Sequence, residues 1–215
     1  MADDIKIKKG DFIELDFTAK IVANDVVFDT TQEQVAKLSG IFSKDITYKP
    51  IVISVGEGHL LKGLDEFIED KNVGKYVVEI PSEKAFGKKN AKLLKLISIR
   101  EFHKNEIQPM PGLEVELDGN KGIVRTVNGG RVIVDFNHPL SSKDIIYDIT
   151  INKIITDDKI KVEGLMNVYK MPFKNIEVID GKAIITVGVD VPKEISDLIG
   201  GEIKKLVHLK EVEFK

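Results

Sequence analysis

The sequence predicts an α+β protein: strand patterns on both sides of a short helix, a further β-rich stretch, and a small α+β segment at the C-terminal end. Three observations lead there. The stretch Pro50 to Ile68 (PIVISVGEGHLLKGLDEFI) changes from a period of two to a helical period. Short alternating apolar runs flank it on both sides. Between residues 88 and 137, further strand patterns separated by tight turns delay what reads as the closing strand.

Taken in order, Asp11 to Val22 is the first strand, with Phe12, Ile13, Leu15, Phe17 and Ala19 alternating imperfectly with Glu14, Asp16 and Thr18. Asn24-Asp25 supplies a turn, and Val26 to Thr31 a second strand. Within residues 31–49, Gln32 to Leu38 fits roughly two helical turns ending at Gly40. This segment reads as a surface excursion or as a lip over a binding site. In the central stretch Ile51, Ile53 and Val55 share one strand face, and Gly56 and Gly58 let the chain turn. From Leu60 a helix begins with Leu60, Leu61, Leu64, Phe67 and Ile68 on its apolar side and Lys62, Asp65, Glu66 and Glu69 elsewhere. Lys75 to Pro81 is a strand with Tyr76, Val78 and Ile80 on one face.

The insertion has strand patterns at Leu93 to Phe102, Leu113 to Leu117, Gly122 to Val127 and Arg131 to Phe136. Asp118-Gly119-Asn120 and Asn128-Gly129-Gly130 are its tight turns. Asp144 to Lys153 is the closing strand. Beyond it, Ile176 to Val187 reads as a hairpin around Asp180-Gly181. A helix opened by Pro192 carries Ile195, Leu198 and Ile199, Gly200-Gly201 weakens or breaks it, and Val207 to Phe214 is a last strand. Fewer than sixty residues bury little apolar surface alone, so this segment is expected to dock on the rest or on another copy.

The strand ending in Val55-Gly56, the pair Leu60-Leu61, then Lys62-Gly63, Leu64 and the acids Asp65-Glu66 resemble the central segment of FKBP-type peptidyl-prolyl isomerases. Phe17, Phe28-Asp29, Ala85-Phe86-Gly87 and Asn137-His138-Pro139-Leu140 extend the resemblance, in order, over about residues 5–155. It implies an FKBP-like antiparallel half-barrel around the short helix. It also implies a proline pocket built from Phe17, Phe28, Asp29, Ile51, Leu60, Leu61, Leu64, Phe86, Leu140 and Tyr147, with no cofactor and no metal. The insertion is similar to the insert-in-flap chaperone domain of SlyD-like and long archaeal members. The division that follows is an isomerase domain from 1–87 and 138–156, an inserted domain at 88–137, and a C-terminal domain at 157–215 that is a candidate for dimerisation.

The sequence departs from the family in three places. Phe17 stands at a usual tyrosine position and leaves Asp29 without a hydroxyl partner, Phe86 carries a ring but no phenol, and Leu64 replaces what is often a large aromatic. These departures motivate an alternative reading as a non-catalytic holdase or scaffold.

At 215 residues, 42% hydrophobic and 31% charged, the composition is that of an ordinary soluble protein. No cysteine is present, which excludes disulfides, thiol catalysis and thiolate metal sites. The N-terminal MADDIKIKKGDF has no apolar core of a secretory signal and no run approaches a membrane span, so a cytoplasmic location is expected. A net charge of −3 argues against nucleic acid as a general partner. The window Lys84 to Lys104 nonetheless sums to +6 against −9 elsewhere, which reads as a solvated face or a contact for acidic chain or ribosomal RNA. His59, His103 and His208 show no ligand spacing, while His138, next to Pro139, reads chiefly as a loop residue, with a hydrogen-bond donor near the pocket and a weak metal ligand as the alternatives. GEGHLLKG has neither dinucleotide nor Walker spacing, so a nucleotide site is rejected. The expected partners are unfolded or nascent chains with X-Pro bonds, with macrolide binding at the pocket left open.

Overall fold

The structure, a computed structural model, describes residues 5–117 and 119–215. Residues 1–4 of the first expected domain and Asp118 of the expected 118–120 turn lie outside the described residues. In chain order the elements are β1 (Phe12–Ile21), β2 (Val26–Thr30), α1 (Glu33–Leu38), β3 (Ile51–Ser54), α2 (Lys62–Ile68) and β4 (Gly74–Ile80). Then come β5 (Leu94–Ser98), α3 (Ile99–Lys104), β6 (Glu114–Leu117), β7 (Asn120–Asn128) and β8 (Arg131–Asp135). The chain ends with β9 (Ile145–Ile155), α4 (Asp158–Val168), β10 (Asn175–Ile179), β11 (Lys182–Thr186), α5 (Lys193–Val207) and β12 (Glu211–Phe214). Two compact units result, one from the residues up to Pro81 with Asp144–Lys215, the other from Ser82–Lys143. The mixed α+β class with antiparallel sheets is as the sequence predicts.

In the first unit β1 is the central strand. It pairs antiparallel with β2, β3 and β9, and β9 pairs in turn with β4. Ile13, Leu15 and Ala19 of β1, Ile53 of β3, Ile80 of β4, and Ile145, Ile149 and Ile151 of β9 are buried, and so are Leu64 and Ile68 of α2, which packs on β4. Phe12 points to the opposite face from Ile13 by ordinary alternation, and a bulge in β9 brings that strand's end to the same face as Phe12. Opposite the step from Glu14 to Leu15, β9 carries one extra residue, Asn152, whose side chain donates to Glu14 and Asp16. Such a bulge reverses the phase of the pleat. Phe12 and Ile155 thereby join a second core on the other face, with Val162, Leu165 and Met166 of α4, Ile176, Ala183 and Ile185 of the 175–186 hairpin, and Ile203 and Val207 of α5.

The residues after 156 therefore share a core with β1 and β3, although the sequence reads them as a domain of their own. Helix α4, which the sequence reading above does not include, has local signals: Asp157 accepts the Ile160 amide as an N-cap, and Val162, Leu165 and Met166 recur at helical spacing. The expected hairpin forms around Asp180 and Gly181, whose φ values of 51° and 81° suit the two-residue turn. Gly200-Gly201 does not break α5, which runs unbroken from Lys193 to Val207. Gly200 instead lets the helix lie close to Phe214. The last strand, β12, pairs parallel with β11.

The second unit is a four-stranded antiparallel sheet in the order β5-β8-β7-β6, closed over Phe102, Val115, Val124, Val132 and Val134. The expected strand at Leu93 to Phe102 is shorter than its pattern: Ser98 accepts the Arg100 amide and caps α3, which turns Phe102 inward to 1% exposure. The division between units falls at Pro81 and Asp144, outside the expected limits of 88 and 137. Ser142 donates its amide to the Gly87 carbonyl at 2.8 Å, which ties both ends of the insertion together beyond those limits. Among the described residues no helix is long and apolar enough to cross a membrane.

Candidate functional site

The apolar site begins with a row across three strands. Ala19 of β1 faces Asp29 of β2 on one side and Tyr147 of β9 on the other, so the three side chains share one face. Opposite the step from Ala19 to Lys20, β2 carries Phe28 as an extra residue. A bulge of this kind re-aims the side chains around it. Ala19 is fully buried and too small to separate its neighbours. The Phe17 ring, half-buried, lies 5.7 Å from the Tyr147 ring at 52°.

This row answers the question raised by Phe17. Its missing hydroxyl leaves no phenol on β1, and the phenol near Asp29 comes from Tyr147 on β9. Burial pushes the Tyr147 phenol up, and the Asp29 charge pushes it further the same way. Asp29 retains exposed surface, yet the protein around it withdraws enough water to raise its carboxyl, with a backbone hydrogen bond from Thr30 opposing in part. Replacing Asp29 by asparagine is expected to bring the Tyr147 titration down, though not to the ordinary tyrosine value, because burial is the larger cause. Ultraviolet titration of the two proteins, with Tyr147→Phe as the blank, measures it; an unmoved curve means the phenol does not sense Asp29.

Ile51 sits opposite Leu15 in the β1–β3 ladder and is half-buried. Leu61 caps α2, and Leu60 precedes it on a cleft of about 360 Å³ with Gly56, Gly58, Lys62 and Asp65. Leu64 is 1% exposed and offers almost no surface of its own. The sequence places Asp65 with the solvent-facing residues of this helix. The structure buries it at 8% exposure, where its carboxylate accepts the Gly56 amide at 2.8 Å and the Gly58 amide at 3.2 Å. Both glycines have positive φ, 80° and 75°, and the turn they make points its donors at the helix.

Phe86 and Leu140 belong to the second unit, where residues 85–87 and 137–140 meet. The Phe86 ring stacks on His138 at 4.7 Å and 4°, and His138 Nδ1 accepts the Leu140 amide at 3.2 Å. Ser141 Oγ donates to the Phe86 carbonyl at 3.4 Å. His138 reads from sequence chiefly as a loop residue, and the stack is what that reading lacks. The basic window is partly matched from within: Lys88 pairs with Glu83, Lys89 with Asp135 and Lys104 with Glu101, while Lys95 lies over the Phe136 ring.

A family model described as FKBP-type peptidyl-prolyl cis-trans isomerase matches residues 3–98, and one described as FKBP26, IF domain, matches residues 95–140. The short-type peptidyl-prolyl cis-trans isomerase of Methanocaldococcus jannaschii is 31% identical over 149 residues, which is 69% of this chain and 94% of that protein. The FKBP-type 16 kDa peptidyl-prolyl cis-trans isomerase of Escherichia coli is 32% identical over 112 residues, 49% of this chain and 74% of the relative. A probable enzyme of the same description from Pseudomonas fluorescens is 30% identical over 108 residues, 47% and 71% of the two chains.

Proposed function

The chain belongs to the FKBP-type peptidyl-prolyl cis-trans isomerase family, and from that premise we propose that it isomerises X-Pro bonds at the site centred on Phe17, Asp29 and Tyr147 while its inserted unit captures unfolded chain. The isomerase activity follows from the family. The observation that carries the site is the Tyr147–Ala19–Asp29 row with the Phe17 ring beside it.

The chemistry asks little of the side chains. Rotation of a prolyl bond is opposed by amide resonance worth about 18–20 kcal/mol. An apolar enclosure that takes the proline ring and strips water from the preceding carbonyl favours the twisted amide, whose charge separation is smaller. Half-buried Phe17, Phe28, Ile51, Leu60 and Leu61 supply that enclosure in this reading, and Leu64 underlies it. No proton transfer, metal or cofactor is required.

In this reading β1 to β4 and β9 around α2 are the family's half-barrel. The protein is of the long archaeal, SlyD-like class, with the inserted unit as its insert-in-flap chaperone module. The match at residues 95–140 supports the assignment, as does a cleft of about 410 Å³ lined by Val115, Ile123 and Pro139 between polar neighbours. Capture raises the local concentration of X-Pro bonds at the pocket. The clients are unfolded or nascent polypeptides in the cytoplasm. The holdase reading keeps one observation in its favour: neither Phe17 nor Phe86 has a phenol to offer the substrate.

Proline-limited refolding of an unfolded protein decides between them. Substoichiometric amounts of the chain are expected to accelerate it, and Phe17→Ala to reduce kcat/KM on the order of tenfold, about 1.4 kcal/mol of transition-state binding. Suppressed aggregation without acceleration from either protein establishes the holdase.

A further inference from the structure

Helix α4 and the residue that ends it lie against the turn leading into α2. Gly164 of α4 rests on Val52 of β3 so closely that an added Cβ would meet the Val52 side chain at 2.8 Å and its carbonyl oxygen at 2.9 Å. At the C-cap of α4, the Tyr169 ring meets His59 edge-on, with centroids 6.2 Å apart and planes at 88°. His59 Nδ1 in turn accepts the Ser54 amide at 3.2 Å. An imidazole that accepts through Nδ1 carries no proton there, so the ring is neutral. Leu60 and Leu61 follow His59 directly. The turn is thus gripped twice, by Asp65 through Gly56 and Gly58 and by Tyr169 through His59.

We propose that His59 and Tyr169 are positioning residues for the isomerase site: the C-terminal segment fixes the His59 ring through Tyr169, and His59 fixes the turn that sets Leu60 and Leu61. The inference rests on Leu60 and Leu61 lining the proline site. It gives the C-terminal segment a role in the chemistry of a pocket whose residues all precede it in sequence.

The device has a pH signature. Burial lowers the His59 pKa, while the carboxylates of Asp65 on α2, Glu57 in the turn and Glu202 on α5 draw it upward, and the lowering prevails. Because the folded value lies below the ordinary 6.5, the neutral ring contributes its stabilisation fully above that value and loses it as pH falls through the folded value. Protonation takes Nδ1 away from the Ser54 amide and loosens the turn.

The test is steady-state kinetics of the full chain on a short X-Pro peptide, with thermal unfolding of each variant alongside. Tyr169→Ala is expected to lower kcat/KM on the order of tenfold at temperatures where it stays folded. Tyr169→Phe, which keeps the ring edge, is expected to stay within about twofold of the parent. The parent loses activity as pH falls below the ordinary histidine value of 6.5, and His59→Phe, which keeps a ring but no acceptor, flattens that profile. Should Tyr169→Ala prove too unstable to assay, Tyr169→Phe and the His59→Phe profile still decide. The inference is overturned if Tyr169→Ala retains the parent's kcat/KM and pH profile, if Tyr169→Phe is as impaired as the alanine, or if His59→Phe keeps the acid loss. Leu61→Ala separates this inference from its premise. Unimpaired, it removes Leu61 from the site and sinks both; impaired while Tyr169→Ala is normal, it sinks the positioning role alone.

Discussion

Replacing Asp65 by alanine is expected to destabilise the first unit by about 3 kcal/mol, because two amides lose a charged acceptor that is itself almost buried. Asp65 is 8% exposed, and its two oxygens are divided between the Gly56 and Gly58 amides. Asparagine keeps one acceptor and removes the charge, so Asp65→Asn should lose roughly half as much. Urea unfolding gives both values. Catalysis on short peptides should fall with the alanine even in conditions where it is folded, since the turn it holds leads into Leu60 and Leu61. An alanine variant as stable as the parent would mean that the turn keeps its shape without the carboxylate, and the grip described for it would be wrong.

Asp65 also marks where the sequence stops being legible. The strand-turn-helix stretch is plain because period and glycine placement are local, and so is the hairpin at Asp180-Gly181. An acid on an amphipathic helix, by contrast, scores as solvent-facing by its neighbours alone. Its burial depends on donors nine and seven residues away that are orphaned by a turn of positive φ. The same limit hid the phenol beside Asp29. Phe17 advertised a missing hydroxyl, while Tyr147 reaches the row only through the register of β9 on β1, set in part by the extra Asn152. The length of β5 was misjudged for a different reason: Ser98 reads as a polar strand residue and as a helix cap equally well. The proposed pocket residues come from the ordered resemblance alone, because aromatic and aliphatic side chains of a site are chemically those of a core.

Asp135→Ala is the corresponding experiment on the inserted unit. The Asp135 side chain, 2% exposed, accepts from Lys89 at 2.9 Å, from Arg125 at 3.1 and 3.0 Å, and from both the amide and the side chain of Asn137 at 2.9 and 2.8 Å. Asn137 and Asn90 exchange further bonds, so one carboxylate joins the two ends of the insertion to β7 and β8. Burial alone would raise its pKa, but the hydrogen bonds from Lys89, Asn137 and Arg125 outweigh it and hold the carboxyl well below the usual range. A depressed value means that the stabilisation is present above the ordinary carboxylate pKa of 3.8 and is lost only as pH falls through the folded value, so the network survives mild acid. Lys89 and Arg125 keep 42% and 46% of their side-chain surface in water and rehydrate when the acid is removed, which limits the damage to about 3 kcal/mol. That loss is still decisive, because a unit of some sixty residues has only about 3–9 kcal/mol to lose. Hydrogen exchange should show β7 and β8 losing protection in Asp135→Ala while β1 and β9 keep theirs, with capture of unfolded protein falling in step. Protection retained in β7 and β8 would mean that the apolar core of Phe102, Val115, Val124, Val132 and Val134 holds the inserted sheet without its polar clasp.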